Sequence, residues 1–268
     1  MKSKKKWLLT MAMIMITTLG SLINVKADND EGAREIGIEC VGDYSSWDNL
    51  SNLNSPINIA QDFANAFKNN NKKWKVSYKY TNSGVWETDF KAKSLGGKDD
   101  KYADNVDLLI YSGHGLKPKG YGAKDYAFAL NTKNNSKYAN QKEMYLGNRD
   151  LEWLVTFTCN FLESKNLDTI GHMAKGIHAI CGFETAVILT PDMGSVFAKK
   201  LQKGYSVKEA FFGTAKDTRI WYKSGGIAGV FTTKKNANDR IWGYGNTAKD
   251  PKAYSKDSSQ YILYSYKY

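Results

Sequence analysis

Three dense apolar blocks constrain this chain more than any other feature: VDLLIYSG (Val106–Gly113), LEWLVTFTC (Leu151–Cys159) and GIHAICGF (Gly176–Phe183). A strand with one face in water alternates apolar and polar residues, and these blocks do not. They read as strands covered on both faces, the habit of parallel sheets with helices above and below. Two further segments alternate instead, EIGIECVG (Glu35–Gly42) and WKVSYKYT (Trp74–Thr81), and read as strands. Between them, SPINIAQDFANAFKNN predicts a helix, with Ser55 as its cap and Pro56 at the first helical position. Ile59, Phe63, Ala66 and Phe67 then follow helical spacing.

After the third block, AVILT (Ala186–Thr190) predicts an extension of that strand. A helix follows Pro191 and stops at Gly204. Ser206 and Glu209 then form the capping-box pattern of another, SVKEAFFGTAKDT. A lysine- and glycine-rich stretch, Lys117–Lys142, lies around and before the short strand-like pieces YAFAL and MYLG. The tail is rich in glycine and tyrosine and predicts β-hairpins. Strand–helix–strand followed by buried strands separated by helices defines an α/β fold, with a mainly parallel β-sheet flanked by helices. The organisation expected is a signal peptide (1–27), an α/β domain (28–225) and a β-rich C-terminal extension (226–268) packed on the same domain.

The signal reading rests on Lys2, Lys4, Lys5 and Lys6, an apolar run from Trp7 to Val25, and the small-residue site Val25-Lys26-Ala27. The run is long enough that an uncleaved anchor is the alternative. Cleavage would release a secreted or cell-envelope protein with no later segment able to span a bilayer. The formal charge is +11, and five of the lysines fall in the first 27 residues. The remainder is still basic, which suits an anionic cell-envelope surface. No basic run interleaves with aromatics as a nucleic-acid platform would, so no nucleic-acid partner is expected. Three cysteines in an exported chain cannot all pair, so at least one is a free thiol or bridges to another molecule.

Ligand and catalytic groups in parallel α/β sheets gather beyond the carboxyl ends of the strands. His114 follows the first apolar block and Cys159 ends the second, in a chain with only three histidines. A cysteine nucleophile reacts as its thiolate and needs a base within reach, which a histidine supplies. Acyl chemistry also needs donors for the oxyanion, and a main-chain N–H is most approachable at a glycine such as Gly115.

LLIYSGHG resembles the histidine block of the caspase-like cysteine peptidases, a group that includes caspases, metacaspases, gingipains and clostripain. LVTFTCN resembles their cysteine block, and GIHAICGFET the strand after the nucleophile. MGSVFAKKLQKGYSVKEAFFGTAKD is similar to the helix pair of gingipain-like members. The resemblance spans roughly Glu35 to Thr218 and is closest to the bacterial members. It implies a caspase-like fold and a secreted cysteine endopeptidase acting on a protein or peptide. His114 would be the general base and acid and Cys159 the nucleophile. The N–H groups of Gly115 and Cys159 would form the oxyanion hole, with no cofactor and no obligatory third carboxylate.

Two departures stand out. Phe157 lies two residues before the cysteine, where metacaspases carry an aspartate that helps receive a basic side chain. Asn160 and Phe161 follow the cysteine, where a glycine-containing turn is usual. Recognition of a basic residue would then fall to Asp43, Glu184 or Asp192, all expected near the carboxyl edge. The alternative reading is a catalytically inactive caspase-like extracellular binding protein. A third is a basic surface that holds an anionic polymer.

Cys40 and Cys181 fall inside apolar strand patterns and are expected in the core. A Cys159–Cys181 disulfide across adjacent strands would abolish the nucleophile, though ladder geometry rarely suits one. His172, His178 and Cys181 match no standard zinc spacing, and His178 and Cys181 would face opposite sides of a strand, so no metal is expected. Gly113, Gly115 and Gly120 do not fit a dinucleotide fingerprint.

Overall fold

The computed structural model describes residues 33–68, 70–117, 125–131, 136–219, 226–256 and 260–268. The proposed signal peptide and much of the lysine-rich stretch lie outside the described residues.

In chain order the strands are β1 (Arg34–Cys40), β2 (Trp74–Thr81), β3 (Leu108–Ser112), β4 (Gly115–Leu116), β5 (Ala127–Ala129), β6 (Tyr138–Asn140), β7 (Trp153–Phe157), β8 (Ala179–Phe183), β9 (Ile227–Thr233) and β10 (Tyr261–Lys267). The α-helices are α1 (Ser55–Phe67), α2 (Glu87–Phe90), α3 (Leu167–Met173), α4 (Met193–Gln202) and α5 (Val207–Asp217). Seven strands form one mixed sheet in the order β10-β9-β8-β7-β3-β1-β2. From β8 to β2 neighbouring strands run parallel, and β9 and β10 are antiparallel additions. A small antiparallel sheet, β4-β5-β6, stands apart from it. The protein is thus α/β, with a mainly parallel sheet covered by helices.

The two faces of the sheet bury separate cores. One gathers Ile38, Ile110, Val155, Phe157 and Cys181 beneath Phe63 of α1, Phe197 of α4 and Phe211 of α5. The other gathers Leu109, Tyr111, Leu154 and Ile180 with Phe90 of α2, Ile170 and Met173 of α3, and Phe128 of the small sheet. This double cover explains why β3, β7 and β8 are buried at every residue. The outermost β2 alternates buried or half-buried with exposed residues instead. Cys40 and Cys181 sit in the first core, and all three cysteines are free thiols. Burial pushes the Cys40 thiol up to about 12 and Cys181 higher still.

Four local expectations are corrected. Ser55 is the first residue of α1, and its hydroxyl donates to the Leu189 carbonyl instead of capping; Asn54 holds the cap position. MYLG is not a strand: Leu146 makes a single bridge to Ala174 at the end of α3. AVILT does not extend β8, because the chain leaves the sheet after Phe183 and Thr185 accepts the Asn160 N–H. The tail contributes β9 and β10 to the main sheet, but no tight hairpin joins them. Their long connection runs back to the amino end of β8, where Asp239 and Asp250 meet the buried His178. Ser206, by contrast, caps α5 as its pattern predicts, accepting the Glu209 N–H while the Glu209 carboxylate accepts the Ser206 N–H.

Candidate active site

β3 and β7 are neighbours, and Ser112 and Phe157 are partners in their register. His114 and Cys159 each lie two residues beyond that pair. The Gly113 N–H still donates to the Phe157 carbonyl (3.2 Å), so the two chains stay side by side past the strand ends. Both residues are half-buried at the carboxyl edge.

Each side chain is held from outside the pair, and among the described residues no hydrogen bond joins them. His114 Nε2 lies 3.0 Å from the Ser51 carbonyl oxygen. A carbonyl only accepts, so Nε2 carries the hydrogen and the neutral ring keeps its lone pair on Nδ1. The Cys159 thiol sits against the main chain of Val187, accepting from its N–H (3.3 Å) and donating to its carbonyl (3.6 Å). Burial, and to a lesser degree the charge of Cys159, pushes the Tyr268 phenol up to about 12.

The glycines flanking His114 have separate spatial reasons. A Cβ on Gly113 would stand 2.6 Å from the Tyr44 hydroxyl and 2.8 Å from that of Tyr111. A Cβ on Gly115 would stand 2.3 Å from the Cys159 carbonyl oxygen, so only glycine lets the histidine strand pass so close to the cysteine turn. The Ala129 N–H donates to the His114 carbonyl (2.9 Å), and Gly115 is opposite Phe128 in the next pair. Antiparallel pairs alternate between bonded and non-bonded, so the Gly115 N–H points away from β5. The Cys159 N–H has no hydrogen-bond partner among the described residues. Two main-chain N–H groups next to the pair are thus left outside the hydrogen-bonded ladders.

After the cysteine, Asn160 adopts φ 57°, the left-handed conformation that asparagine tolerates better than most residues. Its N–H donates to the Thr185 carbonyl (3.0 Å). Phe161 is buried in a stack, with Phe128 4.5 Å from it and Tyr111 3.7 Å beyond, centroid to centroid. The stack ties the cysteine turn to the small sheet and to β3. Gln141, fully buried, donates to the Phe161 carbonyl (2.6 Å). Lys117, three residues after the histidine, pairs with Glu163, four after the cysteine (2.8 Å). That ammonium and the Tyr126 hydroxyl hold the Glu163 carboxyl below its ordinary value.

The carboxylates proposed for substrate recognition lie on three separate segments. Asp43 follows β1 and accepts the Ser45 N–H in a turn (2.9 Å). Glu184 follows β8 with its side chain against Gly229 and one oxygen buried without a hydrogen-bond partner among the described residues. Asp192 is exposed at the cap of α4, its carbonyl accepting the Ser195 hydroxyl. Phe157 faces Phe197 and Phe211 in the core, so that position offers no carboxylate to the crevice. Sequence patterns missed Tyr44, Ser51 and Val187. The last two act through main-chain atoms, and Tyr44 is indistinguishable in the sequence from sixteen other tyrosines.

Away from the site, His178 is fully buried between two aspartates, Nδ1 2.9 Å from Asp239 and Nε2 3.2 Å from Asp250. No group of three or more His, Cys, Asp or Glu side chains arranged to hold a metal occurs among the described residues.

These features define an α/β protein with a histidine and a cysteine presented side by side at the carboxyl edge of a mainly parallel sheet. The chain belongs to the family described as a domain of unknown function, DUF6345, which it matches over residues 38–264, a span that contains both residues. No curated protein matches it in sequence.

Proposed function

We propose that this protein is a secreted cysteine endopeptidase with a caspase-like fold. One observation carries the reading: His114 and Cys159 stand at equal distance beyond the register pair Ser112–Phe157 on adjacent parallel strands. Neighbouring strands are about 4.8 Å apart, so this placement brings a base and a nucleophile to one crevice. His114 takes the thiol proton on Nδ1, and Sγ attacks the scissile carbonyl carbon. The N–H groups of Gly115 and Cys159 hold the resulting oxyanion. The C–N bond breaks, the amine leaves with the proton from His114, and an acyl-thioester remains. Water then attacks it, giving one proton to His114, and the thiol and the acid product are released. With Phe157 in the core, a Lys or Arg before the scissile bond would have to be recognised elsewhere; Asp43, Glu184 and Asp192 are the candidates.

The second reading, an inactive extracellular binding protein of the same fold, draws on the Val187 main chain that engages the thiol from both sides. A substrate must displace that contact. One experiment separates the two. The protein is incubated under reducing conditions with peptidyl chloromethyl ketones carrying Lys, Phe or Leu next to the warhead, and adducts are mapped by mass spectrometry. The peptidase reading expects an adduct on Cys159, absent from His114→Ala, and none on the buried Cys40 and Cys181. An unlabelled Cys159 with all three reagents overturns it in favour of the binding protein.

A further inference from the structure

The loop between β1 and α1 grips His114 at three points. Tyr44, fully buried, accepts the His114 main-chain N–H on its hydroxyl (2.7 Å). Its ring lies against the imidazole, centroids 4.6 Å apart and tilted by 60°. Ser51, from the same loop, receives Nε2. The loop is itself fixed: the Tyr44 N–H donates to the Asn52 side chain (2.6 Å), and the Trp47 indole donates to the Leu130 carbonyl (2.9 Å).

The contact to the main chain is unusual in kind. His114 and Ala129 are opposite each other where β4 meets β5, and a regular ladder would join them by two hydrogen bonds. Only one is made directly, from the Ala129 N–H to the His114 carbonyl. In place of the other, the Tyr44 hydroxyl receives the His114 N–H and donates to the Ala129 carbonyl (3.3 Å). A side-chain hydroxyl is thus inserted into the ladder at the proposed catalytic histidine, and Gly113 leaves the room for it. Tyr111 donates to the same carbonyl (3.0 Å) and makes no hydrogen bond to His114.

We infer that Tyr44 is a positioning residue for the base: its hydroxyl sets the main chain of His114 away from β5, and its ring fixes the imidazole so that Nε2 bonds to Ser51 and Nδ1 stays free as the acceptor. This deepens the peptidase reading and rests on it. Tyr44 touches neither substrate nor thiol in this role, so its effect is read through the pair it aligns.

The test is the pH dependence of Cys159 alkylation by iodoacetamide, followed at that residue by mass spectrometry. Tyr44→Phe keeps the ring and removes the hydroxyl. Tyr111 is no control, because its hydroxyl also meets that of Tyr44; Tyr261→Phe, which removes a buried hydroxyl from the Ile177 carbonyl (2.7 Å), is the matched control. Misalignment of a catalytic pair costs on the order of a hundredfold per ångström. Tyr44→Phe is therefore expected to slow alkylation at neutral pH by about tenfold or more and to shift its pH midpoint towards that of His114→Ala, while Tyr261→Phe follows the wild type. If Tyr44→Phe keeps the wild-type profile, or both tyrosine variants shift alike, the positioning role is overturned and the pair survives. If His114→Ala leaves the profile unchanged, the pair itself fails, and this inference with it. A measurement on the unaltered protein stands independently of how the variants fold. With three histidines, long-range proton–nitrogen spectra should show one neutral ring protonated on Nε2 that vanishes in His114→Ala, and a His114 ring protonated on Nδ1 refutes the inference.

Discussion

Glu39 offers a direct check on the energetics of the core. It is fully buried on β1, and its carboxyl oxygens make no hydrogen bond of ordinary geometry among the described residues, the Tyr78 hydroxyl being the polar group near them. Burial, with Asp89 nearby, raises its carboxyl well above the usual range. The unfolded chain releases this proton near pH ~4.3, whereas the folded protein keeps it to a higher pH. The stability tied to that proton is therefore fully present below the unfolded value and is lost as pH rises towards the folded one. Within that window each pH unit weakens folding about tenfold, so two units amount to about 3 kcal/mol. Glu39→Gln has nearly the same shape and no titrating proton, so it removes this slope and leaves the other groups in place. Urea unfolding followed by tryptophan fluorescence at pH 5, 6, 7 and 8 measures both proteins. Near pH 5 the variant should be within about 2 kcal/mol of the wild type, the difference reflecting one exchanged polar group. From pH 5 to 7 the balance should move by up to about 3 kcal/mol in favour of the variant. Unfolding free energies that run parallel from pH 5 to 8 would refute the reasoning, because they would mean that Glu39 titrates alike in the folded and unfolded chains.

Three other outcomes follow from the structure. Burial pulls the His178 imidazole down, but the hydrogen bonds and charges of Asp239 and Asp250 outweigh it and the net shift is upward. Its contribution is thus present below the ordinary histidine range and lost as pH rises through the folded value. Asp239→Asn should cost about 3 kcal/mol at pH 6 and less at pH 9, by denaturant titration. Gly115→Ala forces a methyl against the Cys159 carbonyl. It should cost about 1–3 kcal/mol in thermal unfolding and abolish chloromethyl ketone labelling of Cys159, whereas a labelled, fully stable variant would contradict the close approach. Ser206→Ala removes the cap of α5 and should lower the unfolding free energy by about 1 kcal/mol without changing the alkylation rate.

The main sheet was legible wherever burial left a pattern. The unbroken apolar runs of β3, β7 and β8 mark strands covered on both faces, and the alternation of β1 and β2 marks two more strands without telling that β1 lies inside the sheet and β2 at its edge. The small sheet was less so. β5 and β6 are three residues each, too short for periodicity, and are fixed by tertiary pairing and by the stack of Phe128 on Tyr111 and Phe161. His114 and Cys159 could be named from strand ends because the topology of parallel sheets places such residues together. What holds them could not, because the Ser51 carbonyl and the Val187 main chain carry no side-chain signature. The left-handed φ of Asn160 was likewise hidden, because residue type alone does not give backbone conformation. The His178 pairing was hidden by separation, its partners lying 61 and 72 residues away.

The position of β3 and β7 within the sheet bears on how the crevice would be lost. Both are interior strands, with β1 and β8 on their far sides and a core on each face. β2 and β10, at the margins, can fray without disturbing them. Amides of interior strands exchange with solvent only when the whole sheet opens. The crevice should therefore persist through partial unfolding of the margins, and heat should extinguish Cys159 reactivity in the same transition that melts the sheet.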